Sequence, residues 1–144
     1  MRELKVDAKL EKLDEVLGYI DEILAPYEPP IKVDVTIHVA VEEIFVNIAH
    51  YAYPENPDGG WAILQTDVEK NAEGVPVFSI TFIDGGIPYD PLAKPDPDIT
   101  LSAEEREIGG LGIYMVKKSM DEMSYERKDD KNVLTLRKAL VDDE

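Results

Sequence analysis

Apolar residues recur at helical spacing in the first third of the chain. Between Asp7 and Leu24 they follow one another at intervals of three and four residues, which predicts an amphipathic helix with Asp7 as its N-cap. The residues on that apolar face are Leu10, Leu13, Leu17, Ile20 and Leu24. A second helix is predicted from about Lys32 to Tyr53, because its apolar positions also fall on one side. They are Ile37, Val41, Ile44, Ile48 and Ala52.

Alternating apolar and polar residues predict strands in the remainder of the chain. The strands are expected over about residues 2–6, 61–69, 75–83, 123–127 and 133–138. A short helix over about residues 111–120 precedes the last pair. The stretch of about 25 residues before that helix is rich in proline, and loops of this length usually act as lids or are disordered.

The order of these elements, β-α-α-β-β-loop-α-β-β, favours an α+β fold. We expect a two-layer α/β sandwich with the helices on one face of a mixed, largely antiparallel sheet. At 144 residues the chain is long enough to bury a substantial core, so residues 1–144 are expected to form a single domain.

The composition narrows the class of partner. The chain has 31 acidic and 15 basic residues, and its formal charge of −16 repels nucleic acid and anionic lipid. That charge either favours a basic protein partner or mainly confers solubility. The absence of cysteine excludes disulfides and thiol chemistry. No signal peptide or apolar stretch of about 20 residues is visible, so we expect a cytoplasmic protein with no membrane partner.

One segment of the second predicted helix carries two polar side chains that could support chemistry. Glu43 and Asn47 lie four residues apart, so their side chains share a face of the helix. An amide oxygen suits octahedral Mg²⁺, and a carboxylate one turn away could take a proton from an attacking hydroxyl. An ordinary exposed Glu–Asn pair would look the same in isolation.

Two further segments, residues 84–88 and 109–113, combine glycines with a strand end and a helix start. The carboxylate of Asp84 could accept a hydrogen bond from an adenine amino group, while Gly86 lets the backbone approach the ring. A common strand-ending Asp-Gly turn is the alternative. The glycines at 109–112 open a helix, whose free N–H groups could cradle phosphate; a flexible hinge is the alternative there.

In this order and spacing, the three segments resemble the N, G1 and G2 boxes of the GHKL ATPase superfamily, which includes gyrase, Hsp90, MutL and histidine kinases. The proline that ends Asp84-x-Gly86-x-Pro88 is similar to the branch of anti-sigma-factor serine/threonine kinases, as are residues 47–54 and 110–122. The resemblance spans nearly the whole chain. It implies the GHKL, or Bergerat, ATP-binding fold and the binding of ATP with Mg²⁺.

The resemblance also assigns roles to single residues. It implies that Asn47 is the Mg²⁺ ligand and that Glu43 is the general base. The other nucleotide-binding positions would be Asp84 and Gly86 at the adenine, Pro88 beside them, and Gly110, Leu111, Gly112 and Ile113 at the phosphates. An ATP lid would span about residues 89–108.

Two positions depart from the family pattern. Tyr51 stands where many relatives have a histidine, and His50 lies one residue earlier. Arg106 is the nearest candidate for a lid arginine that contacts phosphate, but it is offset from the glycines of the G2 box. Neither His38 nor His50 has a spacing typical of zinc ligands.

The resemblance implies an ATP-Mg²⁺-dependent regulator of transcription. Such a protein phosphorylates a serine of a STAS-type anti-anti-sigma partner and sequesters a sigma factor. A non-catalytic module of the same fold, which binds nucleotide to set its shape for a protein partner, is the alternative. ATP hydrolysis is a third function found in the superfamily. Because relatives often dimerise, a homodimer is an alternative to a monomer.

Overall fold

The computed structural model of the chain describes residues 1–56, 58–93 and 110–141. In this part of the chain three helices pack on a five-stranded sheet. The strands are β1 (Arg2–Asp7), β2 (Trp61–Lys70), β3 (Pro76–Asp84), β4 (Glu122–Lys128) and β5 (Lys131–Ala139). The helices are α1 (Leu13–Leu24), α2 (Ile31–Asn47) and α3 (Gly110–Ser119). Short 3-10 turns, Leu10–Lys12 and Ala25–Tyr27, flank α1, and a π-helical turn, Ile48–Ala52, continues α2.

The sheet has the strand order β1-β2-β3-β5-β4, and its four pairings are all antiparallel. The expected two-layer α+β class is confirmed, and the described strands contain no parallel pair. Phe78, Ile80 and Phe82 of β3 are buried towards the helices, as the alternation predicted. The order places β3 at the centre, where Asp84 at its end lies opposite Asn132 of β5.

The central helix α2 buries the face that its spacing predicted. All five predicted apolar positions are buried, from Ile37 to Ala52. The α-helix is shorter than predicted, because it ends at Asn47 and the π-helical turn takes the chain to Ala52. The carbonyl of Ala52 then accepts the N–H of Ile87, at 2.9 Å, so the end of this turn is held against the segment that follows β3.

The first helix begins later than predicted, and Asp7 is not its N-cap. The backbone of Asp7 pairs with Trp61 in the β1–β2 ladder, and α1 begins only after the Leu10–Lys12 turn. Because a 3-10 turn has a tighter pitch, Leu10 falls out of phase with the buried face and is 49% exposed. The buried residues of α1 are Val16, Tyr19, Ile20, Ile23 and Leu24.

A tight hairpin places the start of β5. Lys128 pairs with Lys131, and the two residues between them, Asp129 and Asp130, have φ of 51° and 61°. Two consecutive residues in the left-handed region are the signature of a type I′ turn, which aspartate tolerates better than most residues. Asn132 therefore enters the ladder at its second position, beside the end of β3.

Two further expectations from the sequence concern the lid and membrane-spanning helices. Residues 94–108 of the expected lid, with Arg106 among them, lie outside the described residues. Within the described residues, α1, α2 and α3 all lack the length and apolar character that a bilayer-spanning helix needs.

Candidate functional site

A cavity opens between the C-terminal part of α2, the start of α3, the end of β3 and the start of β5. Its volume is about 560 Å³, with the open solvent at its mouth included. Asn47, Asp84 and Ile113, three of the residues singled out from the sequence, line it together. Most of the remaining wall is apolar, with Ile44, Ile48, Ala52, Phe82 and Leu134 among its residues. The cavity therefore offers a flat aromatic ring an apolar surface with polar groups at two separate ends.

Asp84 forms the polar group at the sheet end of the cavity. It is buried, and its Oδ1 accepts hydrogen bonds from the N–H of Gly86 and from Nδ2 of Asn132, both at 2.9 Å. Burial raises the pKa of Asp84 above its ordinary value, while these two hydrogen bonds and the charge of Arg127 act in the opposite direction. Asp84 is thus a held carboxylate in an apolar wall, able to accept a hydrogen bond from a ligand.

The segment after Asp84 packs directly on the π-helical turn that ends the α2 region. A Cβ on Gly86 would overlap the carbonyl oxygen of Ala52, so this close approach requires glycine. The hydroxyl of Tyr53 donates to the carbonyl of Trp61 and accepts the N–H of Gly85 at 2.8 Å. Gly86 therefore has a packing role against the π-helical turn. The sequence alone had suggested only that it lets the backbone approach an adenine ring.

Asn47 is the polar group at the helix end of the cavity, and Glu43 lies beside it on α2. Nδ2 of Asn47 donates to the backbone carbonyl of Glu43 at 2.9 Å and lies 3.4 Å from Oε1 of the Glu43 carboxylate. Because these contacts use the amide nitrogen, the amide oxygen remains the group that Asn47 can offer to a cation. The predicted sharing of one helix face is thus present in the structure.

The start of α3 lies against Glu43. A Cβ on Gly112 would overlap the Glu43 carboxylate, so the general-base candidate and the G2 glycine are in direct proximity. Gly110 opens α3, so the free backbone N–H groups of the first turn belong to the predicted segment. The side chain of Leu111 lies outside the described residues.

Three other residues named from the sequence lie at or beyond the rim. Pro88 is exposed and is not among the residues that line the cavity. Tyr51 does line the cavity but is 54% exposed, and the exposed His50 meets its ring edge-on. The position that departs from the family pattern therefore places a large aromatic side chain at the mouth of the site.

The donor set suits Mg²⁺ only when other ligands complete it. Within residues 1–56, 58–93 and 110–141 there is no cluster of three or more His, Cys, Asp or Glu that could hold a metal. The Asn47 amide oxygen and the nearby Glu43 carboxylate are hard oxygen donors. With Asn47 as the ligand and Glu43 left beside it as the base, the site fits an ion that keeps waters and is shared with phosphate oxygens, which is the usual way that Mg²⁺ is bound.

The side chains that surround Asp84 were not identified from the sequence. Asn132, Tyr125 and Arg127 all come from the β4–β5 hairpin, which carried no recognisable motif. Nη1 of Arg127 donates to the carbonyl of Gly86 at 3.0 Å, and the hydroxyl of Tyr125 donates to Oδ1 of Asn132 at 2.6 Å. The available signal was indirect: once β5 is paired with β3, a polar residue at the start of β5 must face the end of β3.

Comparisons with known proteins agree on the type of domain. The sequence pattern of the family described as "Histidine kinase-like ATPase domain" matches residues 6–138. The serine/threonine-protein kinase BtrW of Bordetella bronchiseptica is 28% identical over 102 residues, which are 70% of this chain and 67% of that protein.

Two solved structures share the fold at low identity. A crystal structure of the RsbU and RsbW domains of a Mycobacterium tuberculosis protein matches with a TM-score of 0.60 and 16% identity. The match covers 97% of this chain, but only 33% of the length of that structure. The histidine kinase domain of a blue-light-activated kinase from Erythrobacter litoralis matches with a TM-score of 0.52 and 15% identity, over 89% of this chain and 63% of that one.

Proposed function

The chain belongs to the histidine kinase-like ATPase domain family, and from that membership we propose that it binds ATP with Mg²⁺ and transfers phosphate to a serine of a protein partner. The resemblance of the chain to the GHKL superfamily is thereby confirmed. One observation supports the proposal more than any other. Asp84, Asn47 and Ile113 line a single cavity, with the proposed adenine acceptor at one end and the proposed metal ligand at the other, and Glu43 lies beside both Asn47 and Gly112.

At the adenine end, shape and hydrogen bonding act together. The apolar wall excludes water from the faces of a planar base, and Asp84 accepts a hydrogen bond from an exocyclic amino group. A buried acceptor that loses its partner is costly, so a base without that amino group binds less well. This end supplies recognition and takes no part in the chemical step.

At the other end, the chain's groups would position the phosphates. The Asn47 amide oxygen would hold Mg²⁺, whose charge offsets that of the phosphates and of an acidic protein. The N–H groups at the start of α3 would face the phosphate oxygens. Gly112 leaves the space in which Glu43 sits beside that helix start.

The proposed transfer needs one proton acceptor from this chain. The partner's serine oxygen forms a bond to the γ-phosphorus, the bond from that phosphorus to the ADP oxygen breaks, and the serine proton passes to the Glu43 carboxylate. A positioned general base typically contributes a factor of about 10² to 10⁴ in rate. This chain needs no nucleophile of its own, because the partner supplies the hydroxyl.

The identity of the protein partners is the most specific part of the proposal. We infer a STAS-domain protein as the phosphate acceptor and a sigma factor as the sequestered protein, which would make this chain an anti-sigma factor in transcription regulation. The name of the Bordetella relative supports a protein kinase, and the charge of −16 supports a protein partner over a nucleic acid. A homodimer and a cytoplasmic location belong to the same proposal.

The test is a transfer assay with purified STAS-domain proteins, Mg²⁺ and γ-labelled ATP. We expect label on a partner serine, with Glu43→Gln lowering the rate about hundredfold or more while ATP affinity changes little. Asn47→Ala should weaken Mg²⁺-dependent ATP binding itself. Glu42→Gln is the matched control, because Glu42 is the exposed neighbour of Glu43 on α2 and should leave both readouts unchanged.

Two negative results would separate the alternatives. If the protein binds ATP but labels no serine, the nucleotide-gated binding module becomes the better account of the same cavity. If it binds no ATP, the assignment of the three boxes to a nucleotide site is wrong.

A further inference from the structure

Asn132 makes four hydrogen bonds at the start of β5, and the roles given above do not use it. Its Nδ2 donates to Oδ1 of Asp84 at 2.9 Å and to the carbonyl of Ile87 at 2.8 Å. Its Oδ1 accepts the backbone N–H of Tyr89 at 3.1 Å and the hydroxyl of Tyr125 at 2.6 Å. The residue is buried, with 5% of its surface exposed. All the hydrogen-bonding capacity of one buried amide is therefore directed at the surroundings of Asp84.

The chemistry of these partners fixes which way the amide points. A backbone N–H can only donate, so the atom facing Tyr89 must be the amide oxygen. A carbonyl can only accept, so the atom facing Ile87 must be the amide nitrogen. Asp84 therefore receives a donor from Asn132, and a flipped amide would mismatch the contacts to Asp84, Ile87 and Tyr89 in a buried site.

We propose that Asn132 is a positioning residue that sets the base specificity of the site, by holding Asp84 so that its second carboxylate oxygen faces the cavity as an acceptor. The ligand class it selects is a purine with an amino group at position 6, in preference to a 6-oxo purine. This inference deepens the proposed function and rests on it, because it concerns the same nucleotide site.

The two oxygens of Asp84 differ in a way that supports this role. Oδ1 is occupied by two donors, the Gly86 N–H and Asn132 Nδ2. Within the described part of the chain no hydrogen bond reaches Oδ2. Every fully buried side-chain oxygen or nitrogen there has a partner, so an oxygen without one must be partly exposed. Oδ2 is therefore accessible, and since Asp84 lines the cavity, it is the oxygen a ligand can reach.

Asn132 also anchors the backbone that leaves Asp84. Its bonds to Ile87 and Tyr89 hold two points of the segment between β3 and the expected lid. Arg127 holds a third point through the carbonyl of Gly86. The acceptor and the first residues of the lid segment are therefore tied to one side chain.

The charged and titratable groups around Asp84 are few. Arg127 approaches from β4, Tyr125 lies on the same strand, and Tyr53 approaches from beyond the π-helical turn. Burial raises the pKa of Asp84, and the donor from Asn132 counteracts that rise. Removing the donor should therefore change how nucleotide affinity depends on pH as well as its size.

The test compares dissociation constants for Mg²⁺-ATP and Mg²⁺-ITP, whose bases differ by a 6-amino or a 6-oxo group. Asn132→Asp keeps the shape and the acceptor for Tyr89 and Tyr125, but it replaces the donor with an oxygen facing Asp84. We expect ATP affinity at mildly alkaline pH to fall about tenfold or more, which is the worth of one charge-assisted hydrogen bond, and ITP affinity to change less.

The pH profile gives a second readout that a merely structural role would not produce. Two carboxylates in contact bind one proton between them, so acid restores a donor in Asn132→Asp. Relative to wild type measured at the same pH, ATP affinity of this variant should recover as pH falls. Wild-type affinity should instead decline as Asp84 is protonated.

Three further variants control the test. Tyr125→Phe removes one donor to the Asn132 oxygen. It should change the ratio of ATP affinity to ITP affinity by less than Asn132→Asp does. Asn132→Ala, a second way to remove the donor, should also lower the ratio. Thr135→Val removes a hydroxyl that bonds Thr81 at 3.0 Å on the opposite face of β5, and it should leave the ratio unchanged.

The outcomes distinguish the two levels of the argument. If wild type binds ATP and both Asn132 variants weaken ATP and ITP by the same factor at every pH, Asn132 is structural and this inference is overturned alone. If wild type binds no ATP, the proposed function is overturned, and the inference with it. If the Asn132 variants lose more affinity for ATP than for ITP, and Asn132→Asp shows the reversed pH trend, both the proposed function and this inference are supported.

Discussion

The two ends of the cavity are built in different ways. At the sheet end, Asp84, Gly86 and Asn132 are joined by side-chain and backbone hydrogen bonds, and the turn after β3 packs tightly on the π-helical turn. At the helix end, the described residues give the Asn47 side chain hydrogen bonds only to Glu43 of its own helix, and the Glu43 carboxylate lies beside Gly112 of α3.

Under the proposed function, this difference separates recognition from chemistry. A preorganised acceptor discriminates between bases because it cannot rotate to suit a wrong one. Groups that handle a metal ion and a moving phosphoryl group need freedom to change partners during a reaction. We therefore expect substitutions at the sheet end to change affinity, specificity and stability, and substitutions at the helix end to change transfer.

The largest expected effect comes from reversing the polarity of the acceptor. In Asp84→Asn the amide oxygen can still accept from Gly86 and Asn132, which turns an NH₂ donor towards the cavity. ATP would then lose a charge-assisted bond of about 2–3 kcal/mol, and we expect its dissociation constant to rise about hundredfold. ITP, with its 6-oxo acceptor, should weaken far less, and calorimetric titration of both nucleotides measures this.

A matched carboxylate on the opposite face of the sheet controls the Asp84 experiment. Asp67 lies in β2, where its Oδ1 accepts the N–H of Val68 outside the cavity. Asp67→Asn should therefore leave both dissociation constants unchanged. Equal weakening of ATP and ITP by Asp84→Asn would show that Asp84 supports the fold and does not read the base.

Three glycine-to-alanine variants test the two ends through stability. Gly86→Ala places a methyl group on the backbone oxygen of Ala52, which cannot move alone, so unfolding free energy should fall by about 1–3 kcal/mol. Gly112→Ala meets the Glu43 carboxylate, the movable end of a flexible side chain, so stability should fall less while transfer is lost. Gly18→Ala in α1 meets nothing within 4 Å and should stabilise by about 0.5–1 kcal/mol.

Urea unfolding of the four proteins, followed by the transfer assay, would rank these effects. The expected order of stability is Gly18→Ala, wild type, Gly112→Ala and Gly86→Ala. If Gly112→Ala were the least stable, the helix end would be as rigidly packed as the sheet end, and the contrast between them would be wrong.

The sequence predicted the two-layer fold and offered candidate residues for both ends, because periodicity and local motifs are short-range signals. Asp84 and Asn47 could be named for this reason. Asn132 could not, because its role depends on the pairing of β5 with β3 across 48 residues of chain. The late start of α1 was missed because Asp7, a good N-cap by type, is held in a ladder with Trp61 that no local pattern reveals.

The smallest expected effect lies in the helical layer, away from both ends. His38 of α2 contacts Oδ1 of Asp21 in α1 through Nε2 at 2.6 Å and the carbonyl of Asp34 through Nδ1 at 2.8 Å. Both partners are acceptors, so both bonds form fully only in the protonated ring. Burial lowers the pKa of His38, but the bonds to Asp34 and Asp21 and their charges outweigh it, and the pKa lies above 6.5.

Because the folded-state pKa exceeds the unfolded value, protonation stabilises the folded protein. That contribution is complete below pH 6.5 and is lost as pH rises through the folded-state pKa. We therefore expect the stability difference between wild type and His38→Asn, from urea unfolding at several pH values, to be largest in mild acid and to shrink with rising pH. Asp21→Asn should show the same trend, and neither variant should change ATP affinity. A change in ATP affinity would mean that the α1–α2 contact is coupled to the cavity, and the division into two independent ends would then need a third element.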